Sequence, residues 1–154
     1  MNRAEDLLMT TTTPVAPTLD PAAHHHHPAL VIAATTAAAL GANLALWLAG
    51  SAAGAEFSYL SNGTTATATL MWVAAETVLP LLVGLGLATV LALRWRRILT
   101  VASVIGAVAA LATGIGPLVT DFDSTTSSVC LALMHLVVAA AVVIGLRSVA
   151  TSLH

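Results

Sequence analysis

Charge is what this chain of 154 residues has least of. Asp, Glu and Arg together make up 8% of it, where a soluble domain carries about a quarter, and lysine does not occur. So little charge cannot cover a globule in water, which excludes a soluble domain. The formal net charge of −2 leaves no field for nucleic acid or another strongly charged partner. Cysteine is nearly missing as well: Cys130 stands alone, so no internal disulfide forms, and the paired cysteines of membrane thiol oxidoreductases are absent. Cys130 is expected to be a small packing residue, with an intermolecular disulfide across a dimer as the alternative. No nucleotide-binding, protease or hydrolase motif occurs, and the expectation is a protein that is not an enzyme.

What the chain has instead is apolar length, with 58% of its residues hydrophobic. Four segments reach the roughly 20 residues a spanning helix needs, at about 29–53, 66–93, 98–119 and 129–146. They are continuous Ala/Leu/Val runs, whereas barrel strands are alternating segments of about ten residues. The expected fold is all-α: a membrane-spanning antiparallel four-helix bundle over 29–147, with the lipid bilayer as its first partner. The second segment is long enough to be tilted, and the fourth is the shortest.

Arginine sets the orientation. Arg94, Arg96 and Arg97 crowd the link between the second and third spans and Arg147 follows the fourth, while the other two connections carry Glu56, Asp121 and Asp123. The link and both termini are therefore expected in the cytoplasm of a multi-pass plasma-membrane protein. Trp95 in the link, and Trp47, Tyr59 and Trp72 toward the opposite side, suit the headgroup level.

Residues 1–28 read as a disordered Thr/Pro/His-containing cytoplasmic tail with no periodic apolar face, and 148–154 as a short second tail. No secretory signal is expected, because the first apolar segment begins only at Ala29 and runs too long; Met9 is an alternative start. His24–His27 could chelate a metal, yet a tag remnant or tolerated low-complexity tract explains them as well, so no metal site and no cofactor is expected.

Inside the spans a few polar groups need an explanation. Glu76 interrupts the second, His135 the fourth, Asn43 the first and Thr113 the third, and a rise of about 1.5 Å per residue puts them near one layer in the outer half of the bilayer. Pro80 lacks an N–H, leaves the carbonyl of Glu76 without its helical partner and is expected to bend the helix. Pro117, after Gly114-Ile115-Gly116, loosens the outer end of the third span. Gly106, Ala110 and Gly114 recur every four residues as a face for tight helix packing. Two readings of the layer stand side by side. In one, Glu76 is protonated and the four groups are interhelical hydrogen-bonding partners that fix helix rotation. In the other, Glu76 titrates beside His135 in a cavity open to the outer side.

The fourth span, Leu131-Ala132-Leu133-Met134-His135-Leu136-Val137-Val138-Ala139-Ala140 closed by Ile144-Gly145-Leu146-Arg147, resembles the final helix of a family of small actinobacterial four-helix membrane proteins of unknown function. Gly116-Pro117-Leu118 before a Thr/Ser-rich outer loop is similar to that family too. The resemblance covers about residues 29–147, implies the four-helix architecture and implies no activity. Small multidrug exporters carry their membrane carboxylate in the first helix, unlike this chain. A haem bundle needs paired axial ligands, and a claudin-like protein needs a longer, cysteine-paired outer loop. The leading expectation is a membrane protein acting by assembly with itself, as a homo-oligomer, or with another membrane protein. The alternative is a proton-linked transporter or exporter of a small solute using Glu76.

The arginine asymmetry gives a direct test. A cysteine introduced in the 94–97 link is labelled by a membrane-impermeant maleimide only from the cytoplasm, and one in the segment 121–124 only from outside. Efficient external labelling of the link would reverse the orientation.

Overall fold

The computed structural model describes residues 27–61 and 63–153. The tail at 1–26, with its expected disorder, the alternative start at Met9 and His24–His26, lies outside the described residues.

Helix α1, Pro28–Ala52, begins on a local cap: His27 Nδ1 accepts from the N–H of Ala29 at 3.3 Å, and Pro28 occupies the first turn, where its missing N–H costs nothing. It ends on Gly54 at φ +88°. The N–H of Gly54 reaches the carbonyl of Ser51 and that of Ala55 reaches Gly50, both at 3.0 Å, so a left-handed glycine closes the last carbonyls. Strands β1, Ser58–Ser61, and β2, Thr64–Thr67, then form an antiparallel hairpin with Ser61 opposite Thr64. Helix α2, Leu70–Ala92, is capped by Thr69, whose hydroxyl accepts from the N–H of Trp72. After the arginine link come α3, Ile98–Thr113, and the four-residue α4, Gly116–Val119. Helix α5, Thr125–Ser152, starts on Ser124, whose hydroxyl accepts from the N–H of Ser127.

The chain is mostly helical, and among the described residues four helices are long and apolar enough to cross a membrane: α1, α2, α3 continued by α4, and α5. Two boundaries differ from the expected spans. The second helix starts at Leu70 rather than near residue 66, because Ala66 belongs to the hairpin, an element absent from the all-α expectation. The last helix, expected as the shortest at 129–146, is the longest at 28 residues; Ser124 caps it a turn earlier, and it continues through 148–152, read as tail. The third span breaks at Gly114–Ile115, and Pro117 sits in the first turn of α4 rather than at a bend within one helix.

Helix α5 is shared by the others: α1, α2, α3 and α4 all pack on it, and α1 also packs on α2. Glycine lets them come close. A methyl group on Gly145 would stand 3.1 Å from the Thr35 side chain of α1 and 3.2 Å from Leu85 of α2. On α3, one on Gly106 would meet Val142 at 2.8 Å, and one on Gly114 would meet His135 at 2.9 Å, both on α5. Close approach of this kind is where apolar helices gain dispersion contacts with one another. The main core is built on Leu81, Leu85, Ala88, Leu146 and Val149.

A second, smaller core lies at the hairpin end. Phe57 is 1% exposed, stacks on Trp47 at 5.8 Å between ring centroids and holds a left-handed backbone at φ 53°. That conformation costs a non-glycine residue about 1–2 kcal/mol, and it persists because the buried ring and a hydrogen bond from its N–H to Ser127 Oγ fix it. Asp123 clamps this segment to the start of α5. Its carboxylate accepts from the N–H of Glu56 at 3.1 Å, the N–H of Ser58 at 2.9 Å and the hydroxyl of Ser127 at 2.8 Å, while its own N–H donates to the Ser58 carbonyl. Burial pulls the Asp123 carboxyl up. The Glu56 N–H, the Ser127 and Ser124 hydroxyls and the Ser58 N–H together outweigh that and hold it below its ordinary value.

A depressed folded-state carboxyl contributes stability that is complete above the unfolded value of 3.8 and disappears as pH falls through the lower folded value. Acid unfolding followed by circular dichroism in detergent should therefore show the wild type losing stability below about pH 4, with a shallower loss in Asp123→Asn. Ser127→Ala, which strips a fully buried hydroxyl from both Asp123 and the Phe57 N–H, should cost about 1–3 kcal/mol at neutral pH.

Candidate functional site

Helices α2 and α3 are consecutive and joined by a tight link, yet they lean on different supports. Helix α2 is seated on α1 and α5 through Leu81, Leu85 and Thr77, whereas α3 is seated on α5 through its glycines. Between them a cleft of about 870 Å³ runs from the hairpin end to the arginine end. Its walls are α2 from Trp72 to Leu91 and α3 from Ile98 to Thr113; its floor is α5 from Leu131 to Leu146. Tyr59 and Phe122, whose rings meet at 5.1 Å, and Pro117 stand at the hairpin end. Apolar side chains make most of the lining. Gly84 stands on the wall, and among the described residues there is open space where its side chain would project.

All four polar residues singled out in the sequence line this one cleft: Asn43, Glu76, Thr113 and His135. Their bonding differs. Asn43 is 1% exposed and donates to Thr77 Oγ at 2.8 Å. Thr77 in turn donates to the Val73 carbonyl at 2.8 Å, so its hydroxyl proton is spent and it must accept from the amide; this fixes which end of Asn43 is nitrogen. The Asn43 Oδ1 atom is buried without a partner among the described residues. His135 is half-buried, with Nδ1 2.8 Å from the Leu131 carbonyl. A carbonyl accepts only, so Nδ1 carries the proton in a neutral ring and Nε2 keeps its lone pair. Thr113 donates within α3 to the Ala109 and Ala110 carbonyls, both at 3.0 Å.

Glu76 is exposed to the cleft, and among the described residues no hydrogen bond or ion pair holds its carboxyl, neither to His135 nor to Asn43. Pro80, one turn on, also lines the cleft; α2 runs through it as one helix, with the Glu76 carbonyl deprived of a donor at that position. Gly106 and Ala110 line the α3 wall, and Gly114 backs His135. Thr77 is the polar residue that the sequence reading missed. It lies one position after Glu76 and so about 100° around the helix, facing α1 where Glu76 faces α3. The signal was a second polar residue beside the carboxylate at the depth of Asn43.

Residues 25–152 match a family of unknown function (DUF6069), and the chain belongs to that family. The match takes in all four long helices and the whole cleft. A comparison with curated proteins and with solved structures finds no match.

The bonding pattern separates two pairs. A double-mutant cycle of Asn43→Leu with Thr77→Val, read by unfolding in detergent, should show a coupling of about 0.5–1.5 kcal/mol, the range of interhelical hydrogen bonds in membranes. The cycle of Glu76→Gln with His135→Gln should be additive to within about 0.5 kcal/mol.

Proposed function

We propose that this member of a family of unknown function is a multi-pass plasma-membrane protein, an antiparallel four-helix bundle with both termini cytoplasmic. In this reading it works without catalysis, by taking an amphiphilic molecule from the bilayer sideways into the α2–α3 cleft. The observation that carries the reading is the cleft itself: mostly apolar, as long as the two helices that flank it, and reaching the one carboxyl within the spans. Ligand sites are typically about 300–1,000 Å³. A cleft of about 870 Å³ lies within that range and suits a single-chain amphiphile. Assembly with a second copy or another membrane protein is the second reading, favoured by α3, which buries only Leu99 within the chain. The four-helix actinobacterial relatives suggested by the last span fit either reading. Proton-linked transport has no support beyond the position of Glu76.

The test uses the native fluorescence of Trp72, which lines the cleft, in a protein whose Trp47 and Trp95 are replaced by phenylalanine. A brominated long-chain alcohol should quench Trp72 saturably in detergent or nanodiscs. Gly84→Leu, whose Cβ would meet no described atom within 4 Å, should abolish the saturable component and leave folding intact. Quenching that rises linearly with alcohol and is the same in both proteins would remove the reading.

A further inference from the structure

The polar chemistry inside the cleft is one-sided. Glu76 offers carboxylate oxygens that no described residue engages. Its main-chain carbonyl lacks the donor that Pro80 cannot supply. Asn43 Oδ1 is buried and unpaired. His135 has spent its proton on the Leu131 carbonyl and presents Nε2, and Thr113 has spent its own on α3. The groups left open at this layer are mostly acceptors with lone pairs to spare, against one remaining N–H on Asn43 Nδ2, and the donors at the hairpin mouth, the Tyr59 hydroxyl and the Trp72 indole, stand at its entrance. Among the described residues no positive charge faces the layer: Arg94, Arg96 and Arg97 lie in the link and Arg147 near the opposite end of α5, and none lines the cleft. An unpaired acceptor in a low-dielectric site is expensive, about 1–3 kcal/mol and more for a charged one.

We propose that the ligand of this cleft is a lipophilic amine, its protonated head donating N–H bonds to Glu76, His135 Nε2 and Asn43 Oδ1 and its hydrocarbon lying between α2 and α3 toward the arginine end. This rests on the reading of the cleft as a ligand site and names the class it takes. A primary ammonium matches the site on three counts at once. It supplies up to three donors to a layer rich in open acceptors, the counter-charge the carboxylate lacks, and an apolar body for the remaining length of the cleft. A carboxylic acid fails on charge and a quaternary ammonium on donors. An alcohol keeps one donor and no charge.

The experiment compares four ligands of one chain length, dodecylamine, dodecyltrimethylammonium, dodecanol and dodecanoate, by competition against the brominated alcohol at Trp72. Dodecylamine should bind tightest, by about tenfold to a hundredfold over dodecanol, as expected for charge-assisted hydrogen bonds, and dodecanoate weakest. Glu76→Gln should erase the amine's advantage while keeping the dodecanol affinity, which separates loss of recognition from loss of fold. The order among the four ligands on wild-type protein tests the proposal even where that variant does not fold. Amine and alcohol binding equally, or the trimethylammonium matching the primary amine, would overturn the amine assignment and leave the cleft as a binding site. Failure of all four to compete, with quenching insensitive to Gly84→Leu, would instead overturn the cleft reading on which it rests.

Discussion

The close approach of three helices to α5 is the constraint from which the rest follows. At Gly145 the side chains of Thr35 and Leu85 come in from α1 and α2 to distances that a methyl group would contest, and at Gly106 and Gly114 α3 comes down on Val142 and His135. Such short approaches are where apolar helices gain dispersion contacts with one another. They also dictate position. Helix α2 is committed to the side of α5 shared with α1, and α3 to another side, so these two helices touch but leave a cleft between them. The cleft is the geometric remainder of those commitments.

Polar groups divide along the same line. On the α1 side of α2 the hydroxyl and one amide N–H are engaged: Asn43 donates to Thr77, and Thr77 donates to Val73. On the α3 side, one residue earlier in sequence, Glu76 engages no described side chain. A bond that fixes rotation and a group left open therefore sit on adjacent residues, 100° apart on one helix. The Asn43–Thr77 bond holds α2 in the rotation that turns Glu76 to the cleft, so its contribution is to placement as much as to stability. At the hairpin end Asp123 performs a comparable task. It ties Glu56, Ser58 and Ser127 together and so sets where the hairpin meets α5 and where Tyr59 and Phe122 stand at the mouth.

Much of this was legible in the chain. Length and composition sufficed for the helices, since roughly 20 apolar residues in a row have few other uses, and a depth count of 1.5 Å per residue put Asn43, Glu76, Thr113 and His135 at one level. What depth cannot give is azimuth. A count along the helix says how far in a residue lies and not which neighbour it faces, so Glu76 looked like a partner for His135, and Thr77, which faces α1, went unnoticed. The hairpin was also written in the sequence, as Asn62-Gly63 between Ser/Thr-rich flanks, a strong turn signal overlooked because the search was for helices. Ser124, the cap that lengthens α5, was in plain view, but apolar content was used to place the start and hydrogen bonding decided it. The packing glycines were visible as a repeat on α3; the role of Gly145 as the seat of α2 required the third dimension.

The central claim is that lipophilic ligand lies between α2 and α3 and nowhere else on this apolar surface, and photolabelling tests it most directly. A long-chain amine carrying a diazirine in its tail, irradiated with the protein in nanodiscs and mapped by mass spectrometry, should mark the cleft-lining Leu87, Val101 and Ile105. It should spare Val83, Val90, Val104 and Val108, which are as exposed on the same two helices but lie outside the cleft. Labelling spread evenly over both sets, unchanged by excess unlabelled amine, would contradict the account.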